Sequence, residues 1–213
     1  MNFLSHYYFY KSDDIYYNLG LVLPDLVRNI SKTHLRPLST YDKKEHIALG
    51  NGSKAHIEGD RIFHQSEFFR VCETHIAKQL NTKATWPRKW FFNHLLLEIG
   101  LDRVLMDHYP NLCQEFYTDL EQVDKQTLIE FLNLSGIKQY NEFAPGYERF
   151  VNFKFIFEYQ YNEKIFFALS RVYLRTGITY EWTENDKMLF MEHLPGILKF
   201  ISEHIDILNE ELK

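Results

Sequence analysis

Residues 56–64 read HIEGDRIFH, which sets His56, Asp60 and His64 at a strict spacing of four. On a helix, side chains four apart lie nearly above one another. Each step drifts about 40° around the axis, so the three share an arc of roughly 80°. Continuing in fours reaches Phe68, Cys72 and Ile76. A row that begins ionisable and ends apolar runs along, or just beside, a buried face. A second row follows in FFNHLLLEIGLDRVLMDHYP, where His94, Glu98 and Asp102 are again four apart. Their neighbours Phe91, Phe92, Leu95, Leu96, Leu97, Ile99 and Leu101 leave that helix apolar almost all round, the pattern of a buried one.

Buried carboxylates and imidazoles need partners, because an unpaired buried charge is costly or changes its protonation. A divalent ion answers all of them together. Imidazole mixed with carboxylate suits Mn, Fe or Zn, and facing helices of a bundle are a common support for such a site. His6, in an apolar N-terminal stretch, and Asp25, directly after Pro24, are further candidates outside the rows. The competing reading is structural. A spacing of four also arises from ion pairs on one helix face, with Arg61, Arg103, Lys54 and Lys89 as neutralising cations. Two rows on successive helices, with His6 and Asp25 also in apolar surroundings, favour a polar centre.

The elements that must position these residues are helical. The chain has 213 residues with only 9 Gly and 6 Pro, which favours long helices and one core, hence a single all-α domain over 1–213. Pro24 is suited to a first helical turn. The polar stretch from Ser31 reads as a loop, with a helix starting near Ser39 or Thr40. One helical pattern covers about 51–80. The next runs from Thr85 and Pro87 to Pro110, followed by helices over about 111–121, 125–134 and 147–176. Asp124 or Thr127 is a natural cap for the 125–134 helix. The alternation in VNFKFIFEYQY leaves a strand near 150–160 as an alternative. The last helix covers about 184–209, interrupted near Pro195 and Gly196.

Composition narrows the function classes. A net charge of −5 offers no electrostatic case for broad nucleic-acid binding. Cys72 and Cys113 form no disulfide framework or zinc motif, so a reducing compartment is expected. Neither a signal-peptide pattern nor an uninterrupted apolar run of about 18 residues is present, which predicts a cytoplasmic protein without a membrane span. There is no Gly-rich phosphate loop, no nucleophile elbow and no H-E-x-x-H.

The order of these residues resembles the acyl carrier protein phosphodiesterase family, relatives of the HD-type metal-dependent phosphohydrolases. MNFLSHYYF is similar to that family's opening Met-Asn-Phe-Leu-Ala-His. LGLVLPDLVR is similar to a segment that brings Asp25 and Arg28 into register. GSKAHIEGDRIFH resembles its His- and Asp-bearing segment through Gly52, His56 and Asp60, and NHLL matches its Asp-His-Phe-Leu through His94. The chain departs from the pattern at Lys54 (a His in the family), His64 (an Asp), Asn93 (an Asp) and Gly100 (a later His).

The resemblance implies an all-α fold like the HD-type enzymes. It also implies hydrolysis of a phosphodiester, namely removal of 4′-phosphopantetheine from holo acyl carrier protein, with Mn²⁺ as the expected metal and Fe or Zn as alternatives. His56, Asp60 and His94 are the expected ligands, with Asp25, Glu98 and the substituting His64 beside them. His6 or Asp102 would take the proton from water. Arg28, Lys54, or Arg171 with Arg175, four residues apart, would bind phosphate. Lys43, Lys44, Lys54 and Arg61 would offer basic charge to an acidic carrier protein. Two other readings remain open: a non-catalytic scaffold with a buried polar network, and a phosphohydrolase acting on a nucleotide or another small phosphate ester.

Overall fold

In the computed structural model, residues 1–138 and 140–212 are described, and their regular elements are all helices, with no strand among the described residues. Contacts gather the chain into two compact units. One comprises Met1, Phe3–Arg61 and Asn111–Phe155; the other comprises Asn2, Ile62–Pro110 and Ile156–Lys213. Among the described residues, no helix is long and apolar enough to cross a membrane.

The first unit holds α1 (Phe3–Tyr10), α2 (Ile15–Gly20), α3 (Leu23–Ser31), most of α4 (Lys44–Gln65), α7 (Leu112–Gln122), α8 (Lys125–Leu134) and α9 (Tyr140–Phe153). Helices α1 and α2 pack on α7, and α3 and α8 pack on α9. Aromatic rings tie α1 into this core, with Phe3 and Phe150 centred 5.0 Å apart and Tyr7 edge-on to Phe116 at 5.4 Å. Asp14 caps α2 by accepting from the backbone N–H groups of Tyr16 and Tyr17. Asp124 caps α8 in the same way through Thr127.

Helix α4 approaches α2 backbone to backbone. A Cβ on Gly20 would lie 2.9 Å from the Cα of Gly52, and a Cβ on Gly52 would lie 2.9 Å from the Cα of Gly20. Only glycine at both positions allows this approach. One turn after Gly52 comes His56, so the contact sets its position.

The second unit holds α5 (Glu67–Leu80), α6 (Lys89–His108), α10 (Asn162–Arg175) and α11 (Glu184–Glu211). Helix α11 packs along α5 and α6, and α10 packs on α6. The core is aromatic, with Phe92 set against Trp86 at 4.8 Å and Trp182 at 5.6 Å.

Four expectations change. The helical pattern over 51–80 divides at Ser66, whose extended backbone ends α4 and whose hydroxyl accepts from the N–H of Phe69 to begin α5. The apolar row Phe68, Cys72, Ile76 therefore belongs to α5 and not to the helix carrying His56. Helix α4 begins at Lys44 and not at Ser39 or Thr40, because Tyr41 is held outside it. Its hydroxyl accepts from the N–H of Leu38 at 2.8 Å, and its ring lies 5.1 Å from Phe131.

The single helix expected over 147–176 is three pieces. Lys154, with φ 47°, ends α9, and a 3-10 helix over Phe155–Gln160 precedes α10. The strand alternative at this place is also replaced by that 3-10 helix. Ile156 and Tyr159 are its buried residues, three apart, which matches three residues per turn rather than an alternating strand. Finally, α11 runs unbroken through Pro195 and Gly196. Proline inside a helix costs about 3 kcal/mol. Burial of Phe190, Leu194, Ile197, Ile201, Ile205 and Leu208 at helical spacing offsets it, at roughly 1.5–3 kcal/mol for each such side chain.

Candidate metal centres

The residues of the two sequence rows separate into two sets. His6 of α1, Asp25 of α3 and His56 of α4 bring one ligand atom each to within 4.8 Å of one another. His64, at the end of α4, joins His94 and Glu98 of α6 in the second set.

In the first set, Asp25 stands in the first turn of α3, just after Pro24. His56 is almost fully buried, and its Nδ1–H donates to the carbonyl of Leu21 at 2.8 Å. That bond assigns the proton to Nδ1 and leaves the Nε2 lone pair facing outward. Nε2 lies 3.9 Å from Asp25 Oδ1 and 3.7 Å from Asp60 Oδ2.

His6 has no exposed surface and stacks on His56 with ring centroids 3.8 Å apart. Its Nε2 is 3.1 Å from Asp60 Oδ1, a hydrogen-bond distance without hydrogen-bond alignment, so both ring nitrogens are buried without a hydrogen-bond partner. Burial, reinforced by His56, lowers the His6 pKa to about 3, which keeps the imidazole neutral. Burial by itself would raise the Asp60 carboxyl. The neighbouring His6, the Met1 amino group at 2.6 Å and His56 outweigh it and hold Asp60 well below the usual carboxylate range. A neutral buried imidazole with orphaned nitrogens, an oriented second imidazole and the carboxylates of Asp25 and Asp60 fit a divalent ion.

In the second set, His64 Nε2 and His94 Nε2 are 3.2 Å apart, and Glu98 Oε1 lies 3.6 Å from the first and 3.3 Å from the second. The sequence periodicity places His94 and Glu98 on one face of α6. Phe69 stands edge-on to both imidazoles, 5.3 Å from each. Burial would raise the Glu98 carboxyl, but hydrogen bonds from His64 and His94 are among the interactions that hold it well below its usual value.

The other residues expected at a site stand elsewhere. Asp102 is fully buried, accepts from the Asn2 side-chain amide at 2.8 Å and belongs to neither ligand set. Arg28 and Lys54 are exposed on α3 and α4. Arg171 and Arg175 are exposed on α10, with Arg171 over the ring of Phe167. The cations proposed as helix-face partners have other contacts: Arg61 pairs with Glu58, Arg103 with Asp107, and Lys89 donates to the carbonyl of Asn81.

Two departures from the family pattern have structural roles here. Asn93 is buried and donates to Asn81. Gly100 packs against Ile201, where a Cβ would come within 2.9 Å of the Ile201 Cδ1 and a larger side chain would require that side chain to move. Spacing did not indicate the Leu21 carbonyl or Phe69, since a backbone acceptor and a core aromatic carry no distinguishing pattern. Comparison of the chain with protein-family models, curated proteins and solved structures gives no match.

Proposed function

We propose that the chain is a metal-dependent phosphodiester hydrolase whose metal is held by His6, Asp25 and His56, with Asp60 beside them. One observation carries the reading. Three sequence segments that resemble the acyl carrier protein phosphodiesterase family deliver one ligand each, from three different helices, to within 4.8 Å. A divalent ion there supplies a water acidified towards neutral pH and positive charge for the phosphoryl oxygens. Mn²⁺ fits the mixed donors, and Fe²⁺ or Zn²⁺ are accepted by the same set.

The chain's own residues divide the remaining work. The Leu21 carbonyl orients His56 for ligation. His6 suits a ligand better than a base, because a pKa of about 3 is far from neutral. Arg28, one turn beyond Asp25 on α3, is the exposed cation we assign to the phosphate, with Lys54 on α4 as the second candidate. The substrate class we favour is holo acyl carrier protein, cleaved to release 4′-phosphopantetheine.

The test is turnover of holo acyl carrier protein, alongside a small synthetic phosphodiester, by metal-stripped protein with added Mn²⁺. Turnover that depends on Mn²⁺ and falls by more than about 100-fold in His56→Ala supports the reading. Turnover of the synthetic ester without the carrier protein would point to a nucleotide or another small phosphate ester as substrate. Failure to turn over either would leave the scaffold reading.

A further inference from the structure

We propose a second metal site, formed by His64, His94 and Glu98, that takes Zn²⁺ or a closely zinc-like ion and leaves a coordination position open. The site draws on different residues from the first and does not depend on the hydrolase reading.

The geometry carries it. The three ligand atoms form a triangle with edges of 3.2, 3.3 and 3.6 Å. With metal–ligand bonds of about 2.0–2.1 Å, a tetrahedral site has edges of about 3.4 Å, while neighbouring positions of an octahedron are only about 3 Å apart. The triangle matches one face of a tetrahedron, so an ion bonded to all three needs little side-chain movement.

Protons alone serve this arrangement poorly. With one N–H a single edge is hydrogen-bonded, and the edge opposite the donor still sets two lone pairs against each other. Protonating both Nε2 atoms serves the carboxylate but sets donor against donor at 3.2 Å. A cation meets all three lone pairs at once.

The surroundings suit an ion that works rather than one that only staples. Two imidazoles and one carboxylate match the donors of catalytic zinc sites, where three protein ligands leave the fourth position to water or substrate. Solvent reaches the cluster, since the side chains of His64, His94 and Glu98 are 35%, 26% and 17% exposed. Phe69, edge-on to both rings, limits their rotation and keeps the two Nε2 atoms aimed together. The donor set disfavours Mg²⁺ and Ca²⁺, which take oxygen ligands.

The experiment titrates metal-stripped full-length protein with Zn²⁺ by calorimetry and with Co²⁺ by visible absorption. It uses wild type, Glu98→Gln, His94→Ala and, as a control for the other site, His56→Ala. Wild type should bind one more equivalent of Zn²⁺ than Glu98→Gln, and that equivalent should persist in His56→Ala. Co²⁺ should give the intense visible bands of a four-coordinate ion, and Glu98→Gln should lose them. Glu98→Gln keeps the shape and size of the side chain, so it decides the matter if His94→Ala loses its helical circular dichroism. Equal stoichiometry in wild type and Glu98→Gln would overturn the proposal, as would an absence of Zn²⁺ binding in His56→Ala. Identical stoichiometry in wild type and His56→Ala would count against the hydrolase centre and leave this site standing.

Discussion

At the scale of single residues, the chemistry turns on which nitrogens and oxygens have partners. His6 is the clearest instance, because both ring nitrogens are buried without a hydrogen bond. An orphaned buried polar atom costs about 1–3 kcal/mol, whereas an apolar replacement of similar size removes that cost. His6→Leu should therefore stabilise the metal-free protein by about 1–2 kcal/mol in urea unfolding. The same variant should lose the stabilisation that wild type gains from Mn²⁺. A large loss of stability in the metal-free variant would show that His6 is held by interactions its geometry does not reveal. The periodicity of the sequence singled out His56, Asp60, His64, His94, Glu98 and Asp102, of which Asp102 joins neither cluster. It did not divide them, since Asp25 and His6 reach His56 only through the packing of separate helices.

At the scale of elements, two short-range devices hold the supports of the sites. The Gly20–Gly52 approach positions α4 against α2. Gly52→Ala should cost about 1–3 kcal/mol through overpacking and should weaken metal binding at His56, measured by denaturant unfolding and calorimetry. A neutral effect on both would mean that α4 shifts freely.

The second device is the capping box of α11, in which Asp186 accepts from the N–H and hydroxyl of Thr183 while its own N–H donates to Thr183 Oγ1. Thr85 and Tyr180 donate to the same carboxylate. Burial would raise the Asp186 pKa, but these hydrogen bonds outweigh it and lower it. A depressed folded pKa means that the contribution is complete above the unfolded value of about 3.9 and is lost as pH falls towards the folded one. Asp186→Asn should therefore destabilise by about 1–2 kcal/mol at pH 7, and the difference should narrow below about pH 4. A pH-independent difference would assign the effect to packing. Thr183 was not a predicted cap, although the TENDK stretch carries the signal, with an acidic residue three positions after a threonine.

At the scale of the molecule, charge is what tests the proposed partner. The chain carries −5 overall, and several of its exposed bases are already matched, with Lys43 against Glu130 and Arg61 against Glu58. Docking of an acidic carrier protein would then rest on a few local cations such as Arg28 and Lys54. Its association rate should fall as salt rises, and Lys54→Glu should reduce it at low salt with little change in dissociation. Salt-independent association, followed by stopped-flow mixing, would count against an acidic partner. Metal binding to the folded state alone should raise the unfolding free energy with ion concentration, by about 2.7 kcal/mol at a hundredfold excess over Kd.

The helical class was legible from the sequence alone, as was the presence of histidines and acids spaced for one helix face. Scarce glycine and proline, apolar spacing and caps such as Asp124 act within a few residues, so they can be read locally. The sequence also placed histidines and acids on the faces of α4 and α6, since i, i+4 geometry is a property of any helix. Only the tertiary structure decided where those faces lead. Ser66 ends the helix that the pattern would continue, burial carries α11 through Pro195, and the row from His56 to His64 is shared between two ligand sets. The reason is range. Periodicity reports which side chains share a face, but which groups meet across that face depends on helices distant in sequence, and the spacing of one segment holds no record of its neighbour.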